Sequence, residues 1–325
     1  MNTTIVNWGV IGCGKVAEVK SVPAYQKVKG FNIFSVMRRR YDLALDYAKR
    51  HKINHTHRKA EDLINDSNVD AVYIATPPDS HLYYALKVAE AGKICCIEKP
   101  LSSSYKDGLK ICRAFSENKL HLFTAYYRRS LPVFNKIKTC IAKEYIGSIR
   151  HISWNFCRPA SEIDLSKKYN WRTDADIATG GYFDDLASHG LDIFAYLFGN
   201  FREVKGLSFN QQKLYSSLDS VSSCWIHEGG ITGSGSWNFG GFRRQDEVAV
   251  VGSEGEMRFS IFNREEITLI NKNGKKKISI KYPEHIQYCH VENMRKALAG
   301  EIVHPSSGET ALHTSWVMDK ILNKI

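Results

Sequence analysis

Residues 6–17 read Val-Asn-Trp-Gly-Val-Ile-Gly-Cys-Gly-Lys-Val-Ala: an apolar run, a glycine-rich turn, then the opening of a helical pattern. Gly12, Gly14 and Ala17 have the spacing G-x-G-x-x-A. Gly12 permits a tight turn, Gly14 lets the backbone approach a pyrophosphate, and Ala17 lets the helix pack close to the sheet. Lys15 and Val16 belong to the first helical turn, whose unpaired N–H groups favour an anion. Glycine-rich turns are common, so the pattern gains force only from its context.

That context is a βαβ rhythm. Apolar runs at Val6–Ile11, Phe31–Met37, Asp70–Ala75, Ile94–Ile97 and Leu122–Ala125 read as strands. Helical patterns at Val16–Val28, Tyr41–His51, Tyr83–Ala91 and Tyr105–Asn118 separate them. The spacing predicts a doubly wound parallel sheet, an N-terminal Rossmann domain over residues 1–124. Beyond Ala125 the rhythm changes. Helices are expected at Pro132–Ala142 and Gly181–Leu197, with strands at His151–Phe156, Ser220–Ile226, Gly230–Phe239, Glu247–Val251 and Ile267–Ile270. Strands in direct succession predict an antiparallel sheet. Residues 125–325 therefore read as a C-terminal α+β domain, closed by a helix at about 307–325 that packs back on the first domain.

The eight cysteines are scattered without a CxxC pair, which argues against zinc and against a disulfide framework, and for a reducing cytoplasm. No apolar run reaches membrane-spanning length, and the N-terminus lacks the basic region of a secretory signal. The formal charge is +11, yet the basic residues are not interleaved with aromatics and no nucleic-acid motif is present. The expected partner is a small molecule, with neither nucleic acid nor membrane.

The end of the second strand bears on the nucleotide. An acid there accepts hydrogen bonds from a ribose 2′-hydroxyl, whereas an arginine pairs with a 2′-phosphate. Here the strand ends Ser35-Val36-Met37-Arg38-Arg39-Arg40, with no acid before Asp42. Arg38, helped by Arg39, therefore predicts a preference for NADP(H), with NAD(H) possible.

Several further motifs occur in order. They are Ala75-Thr76-Pro77-Pro78-Asp79-Ser80-His81, Glu98-Lys99-Pro100, Ala125-Tyr126-Tyr127-Arg128-Arg129, Trp171-Arg172, and Gly180 through Asp192 with Asp185 and His189 inside it. With the glycine turn, this series resembles the glucose–fructose oxidoreductase, inositol dehydrogenase and rhizopine-catabolism (Gfo/Idh/MocA) family over almost the whole chain. The resemblance implies a C-terminal domain built on a large, mostly antiparallel, open-faced sheet, whose open face commonly forms a dimer or dimer-of-dimers interface. It implies that Lys99 is the catalytic-site lysine and that Pro100 often follows a cis bond. Asp185 and His189 match the family's Asp-x-x-x-His element. Thr76, Pro77 and His81 map to the loop on the nicotinamide side of the cofactor, Glu98 to the same edge, and Trp171-Arg172 to a stretch reaching toward bound cofactor. Many relatives have glycine where this chain has Ala187.

Hydride exchange at a carbonyl carbon needs a proton partner for the oxygen. Lys99, just past a strand, is expected to have a lowered pKa when buried beside a positive nicotinamide ring. Asp185 and His189, four apart, share a face if helical, and a neighbouring carboxylate holds a histidine in its charged form. Lys99 and His189 are the alternative acid/base candidates. Lys99, Tyr126, Arg128, Asp185 and His189 are the expected substrate contacts, and no metal is expected. The leading reading is an NADP-preferring oxidoreductase acting on a sugar, sugar derivative or cyclic polyol. The alternatives are the same chemistry on a dihydrodiol or tetrapyrrole, or a non-catalytic NADP-binding regulator, which would not need Lys99, Asp185 and His189.

Overall fold

The computed structural model describes residues 5–263 and 266–325. The chain forms two compact units. In the first, β1 (Val6–Ile11), β2 (Phe31–Met37), β3 (His55–His57), β4 (Ala71–Ile74), β5 (Ile94–Ile97) and β6 (Leu122–Thr124) alternate with α1 (Val22–Lys27), α2 (Tyr41–His51), α3 (Ala60–Asn65), α4 (His81–Glu90) and α5 (Tyr105–Glu117). The sheet order is β3-β2-β1-β4-β5-β6 and every pairing is parallel. The strand order reverses between β1 and β4, and open α/β sheets bind ligands beyond the strand ends at such a switch point.

Two differences from expectation have local causes. The sixth strand, β3, reads His-Thr-His and pairs only with the end of β2, so it carries no apolar alternation to betray it. The helix expected from Val16 instead opens into a π turn at Ala17–Ser21 before α1. Pro23 sits in the first turn of α1 and cannot donate to the ladder, which favours a register change there.

The second unit contains α6 (Pro132–Ala142), β7 (Ile149–Cys157), α7 (Glu162–Leu165), α8 (Ser188–Phe198), β8 (Phe201–Phe209), β9 (Ser220–His227), β10 (Thr232–Asn238), β11 (Gln245–Gly252), β12 (Gly255–Phe259), β13 (Ile267–Asn271) and β14 (Gly274–Ile278). Its eight strands are ordered β14-β13-β12-β11-β7-β10-β9-β8. All neighbours are antiparallel except β7 and β10. Helix α8 packs on one face, where a Cβ at Gly190 would stand 2.3 Å from the Trp154 ring, so glycine is what permits that approach. The other face leaves Leu207 and Phe209 of β8 exposed.

The second unit does not run unbroken to the C-terminus. Pro283–Leu312 belongs to the first unit. This segment carries α9 (Tyr288–Leu298) and the start of α10 (Gly308–Ile321), whose residues from His313 on belong to the second unit. Val291 and Met294 of α9 are fully buried in one cluster with Trp8 and Tyr25, a gain of about 1.5–3 kcal/mol for each side chain.

The same segment buries two histidines. His304 accepts from the Ser306 N–H through Nδ1 at 3.0 Å and donates from Nε2 to the His290 carbonyl at 3.2 Å, the pattern of a neutral ring. Burial pulls its pKa down to about 4, and His290 is also pushed well below its ordinary value by burial. Above pH ~6.5 the ring is neutral both folded and unfolded, so its contribution is intact. As the pH falls toward 4, the unfolded chain takes up a proton that the folded chain refuses. His304 alone is expected to remove about 3 kcal/mol of stability over that interval. Thermal melts of wild type and His304→Gln across pH 4–7 check this: the variant's acid slope should be shallower.

Candidate functional site

At the carboxyl end of β1, Gly12 has φ +91° and its N–H donates to the Met37 carbonyl at 2.9 Å. A Cβ on Gly12 would lie 2.8 Å from Thr76 Cγ2 and 2.9 Å from the Ala75 carbonyl, so both conformation and space demand glycine. A Cβ on Gly14 would meet only the Gly12 carbonyl oxygen, at 3.8 Å. That openness is the cradle a pyrophosphate requires, with the amides of Lys15 and Val16 at the start of the helical run 15–27. Ala17 is fully buried against the sheet. These residues suit a dinucleotide. Arg38 reaches back across the turn, its Nη1 3.4 Å from the Cys13 carbonyl oxygen, and Arg39 is exposed beside it. Asp42, the first acid after the strand, is engaged by Arg40 at 3.1 Å.

The loop after β4 and the end of β5 are tied together. Ser80 Oγ donates to Thr76 Oγ1 at 2.7 Å and lies 2.9 Å from the Pro77 carbonyl oxygen. His81, expected on the loop lining the cofactor, has no exposed surface to offer it. Its Nε2 lies 2.9 Å from the Thr76 carbonyl and its Nδ1 3.0 Å from the Pro100 carbonyl, so the ring braces the two loops from beneath. Burial lowers its pKa, while the two carbonyls favour the protonated form.

The Lys99–Pro100 bond is cis. Lys99 is half-buried, and its N–H donates to Glu98 Oε2 at 3.2 Å. Glu98 Oε1 accepts from Tyr73 Oη at 2.5 Å and from Gln287 Nε2 at 2.9 Å. Burial, then the Glu98 carboxylate, push the Tyr73 phenol well above its ordinary pKa, so it remains a donor. Glu98 is thus a buried anchor for the Lys99 backbone. Neither Tyr73 nor Gln287 was legible as a site residue, because the first sits in an apolar strand and the second is 189 residues from its partner. Tyr126 and Arg128 follow β6, both buried, with Arg128 stacked 4.9 Å over Tyr127.

In the second unit, the helix expected over Gly181–Leu197 is interrupted. Asp185 lies in a π turn, Phe183–Ala187, and His189 in the first turn of α8. Such wide turns gather at functional sites, since they displace a side chain from regular helical spacing. The Asp185 carboxylate accepts from Arg172 Nε at 2.9 Å, and the Arg172 guanidinium stacks 4.3 Å over Trp171. Arg172, expected to reach toward cofactor, is thus held by the acid expected to tune His189. The His189 ring is buried and meets Phe262 edge-on at 5.9 Å. Phe262 is placed by Asp246, whose carboxylate accepts from the Phe262 N–H at 2.7 Å, Ser260 Oγ at 2.5 Å and Trp154 Nε1 at 2.9 Å. Sequence reasoning missed Asp246 and Phe262, which carry no motif.

Among the described residues no group of three or more His, Cys, Asp or Glu is arranged to hold a metal, and no helix is long and apolar enough to cross a membrane.

The chain's likeness to known proteins agrees with this geometry. Residues 6–126 match the model of an oxidoreductase family with an NAD-binding Rossmann fold, and residues 134–258 match the GFO/IDH/MocA C-terminal domain. Oxidoreductase P35 of Formosa agariphila is 35% identical over 316 residues, covering 97% of each chain. Levoglucosan dehydrogenase of Pseudarthrobacter phenanthrenivorans is 29% identical over 188 residues, 58% of this chain and 44% of that enzyme. A solved levoglucosan dehydrogenase in complex with NADH and levoglucosan shares the fold, with a TM-score of 0.89 and 21% identity over 98% of this chain and 97% of that one. From glycine turn to open-faced sheet, this chain belongs to the GFO/IDH/MocA family of oxidoreductases and carries its NAD-binding Rossmann fold.

Proposed function

We propose that the chain moves hydride between a nicotinamide dinucleotide, NADP(H) in preference to NAD(H), and a carbonyl or hydroxyl carbon of a sugar, sugar derivative or cyclic polyol. The observation that carries the cofactor preference is Arg38, folded over the glycine turn, with Asp42, the first acid after the strand, engaged by Arg40 instead. The substrate class rests on relatives named for levoglucosan and scyllo-inositol. A bound nicotinamide supplies the hydride chemistry. The chain's own residues hold the diphosphate on the first turn and move a proton at the substrate oxygen, with Lys99 Nζ or the His189 ring as acid/base and Asp185 oriented by Arg172. The eight free cysteines suit a reducing compartment. The exposed Leu207 and Phe209 on the uncovered sheet face suit association with a second copy, which light scattering of the purified chain would reveal.

Following absorbance of NADPH and NADH against a panel of sugar carbonyls tests this reading. Turnover with sugars and a lower KM for NADPH are expected; tight cofactor binding with no turnover on any substrate would favour a regulator. Arg38→Asp should weaken NADPH by about 10–100-fold, as loss of a charge-assisted pair implies, and NADH far less. Equal losses would remove Arg38 from the phosphate.

A further inference from the structure

The end of β7 carries more positive charge than its neighbours balance. Gln245 of β11 pairs with Cys157 of β7, and Arg244 and Arg158 each lie one residue beyond that last pair. Both guanidinium groups lie over aromatic rings of one connected set: Arg244 is 6.0 Å from Phe156, and Arg158 is 5.9 Å from Phe239 and 3.9 Å from Tyr182. Phe156 meets Phe239 at 5.8 Å and Phe262 at 5.4 Å, and Phe262 meets the His189 ring. A largely buried aromatic cluster therefore links His189 to the two arginines within one unit.

The local acids offset this charge only in part, through Asp164 beside Arg158. Asp164 accepts from Ser161 N–H at 2.8 Å, Ser161 Oγ at 2.6 Å and Tyr182 Oη at 2.5 Å, leaving Arg158 Nη2 a longer contact of 3.4 Å. Arg158 Nε is buried and has no hydrogen-bond partner. Among the described residues, neither Arg243 nor Arg244 has a carboxylate within ion-pairing distance. Arg244 also lines a depression of about 350 Å³ with Asn263, whose glutamates are already held, Glu247 by Arg258 at 3.2 Å and Glu266 by Lys277 at 3.3 Å.

We infer that the substrate carries an anionic substituent, a carboxylate or a sulfate, read by Arg244 together with Arg158, which the aromatic cluster ties to the His189 side of the unit. Arginine presents a planar fork matched to such oxyanions. This inference deepens the sugar-oxidoreductase reading and rests on it for the identity of the ring.

The test is calorimetric titration of the protein, saturated with whichever nicotinamide dinucleotide binds tighter, with glucuronate, glucose 6-sulfate and glucose. At least one anionic sugar should bind about 10–100-fold tighter than glucose, weakening as salt rises. Arg244→Gln should collapse that ratio and Arg244→Lys should restore part of it, with cofactor affinity and melting temperature showing that both variants fold. Which anionic sugar binds separates carboxylate from sulfate recognition. Equal binding of glucose, an unchanged ratio in Arg244→Gln, or binding of neither anionic sugar overturns the inference. Absorbance assays on the same panel keep the two readings apart. Anion-selective binding without turnover on any sugar sinks the redox reading alone, and turnover without anion preference sinks this one alone.

Discussion

Lys99→Ala is expected to lower turnover by about 10²–10⁴-fold, the range of a lost general acid or base, while cofactor affinity stays within a few-fold of wild type. The structure explains why the effect should be clean. The backbone at Lys99 is held through its N–H on Glu98 Oε2, and Glu98 is in turn gripped by Tyr73 and Gln287. Removing the amine therefore leaves the strand end in place, and the glycine turn proposed to receive the diphosphate lies on a different strand. Steady-state kinetics with a cofactor titration by nucleotide fluorescence measure both quantities. A rate near wild type would transfer the proton role to His189. A parallel loss of cofactor binding would mean that Lys99 holds the nucleotide rather than the proton.

The largest stability effect is expected at Asp246. Its buried carboxylate satisfies three donors from two separate segments: the Trp154 indole on β7, and Ser260 Oγ and the Phe262 N–H after β12. Asp246→Ala removes the acceptor these three donors share, two of them buried, and should cost about 3–5 kcal/mol. Asp246→Asn keeps one acceptor oxygen and should cost about half as much. Urea unfolding followed by circular dichroism and tryptophan emission gives both values. A loss below about 1 kcal/mol for the alanine variant would show that the donors find other partners. Because Phe262 packs on the His189 ring, the asparagine variant should also lose turnover with its cofactor affinity unchanged.

Legibility followed the range of the interactions. Gly12 could be assigned from sequence because its constraint is local: a positive φ at a strand end and a close approach to the next strand. Lys99 could be placed because strand ends in a parallel sheet form the ligand edge. His81 illustrates the limit. Its place in a motif suggested a cofactor contact, yet both ring nitrogens serve carbonyls beneath the loop. Asp185 and Arg172 are 13 residues apart in the chain, and nothing in their spacing showed that the acid would hold the arginine.

What the sequence determined by itself was the alternation of strand and helix in the first unit, the turn that can accept a diphosphate, and the chemical types at its strand ends. Each follows from periodicity or backbone conformation within a dozen residues. Only the tertiary structure decided that Pro283–Leu312 completes the first unit, that β7 and β10 run parallel, and that Glu98 and Asp246 are anchored where they are. Those outcomes depend on burying apolar faces and satisfying buried polar groups between segments far apart in the chain, and local pattern carries no record of such pairings.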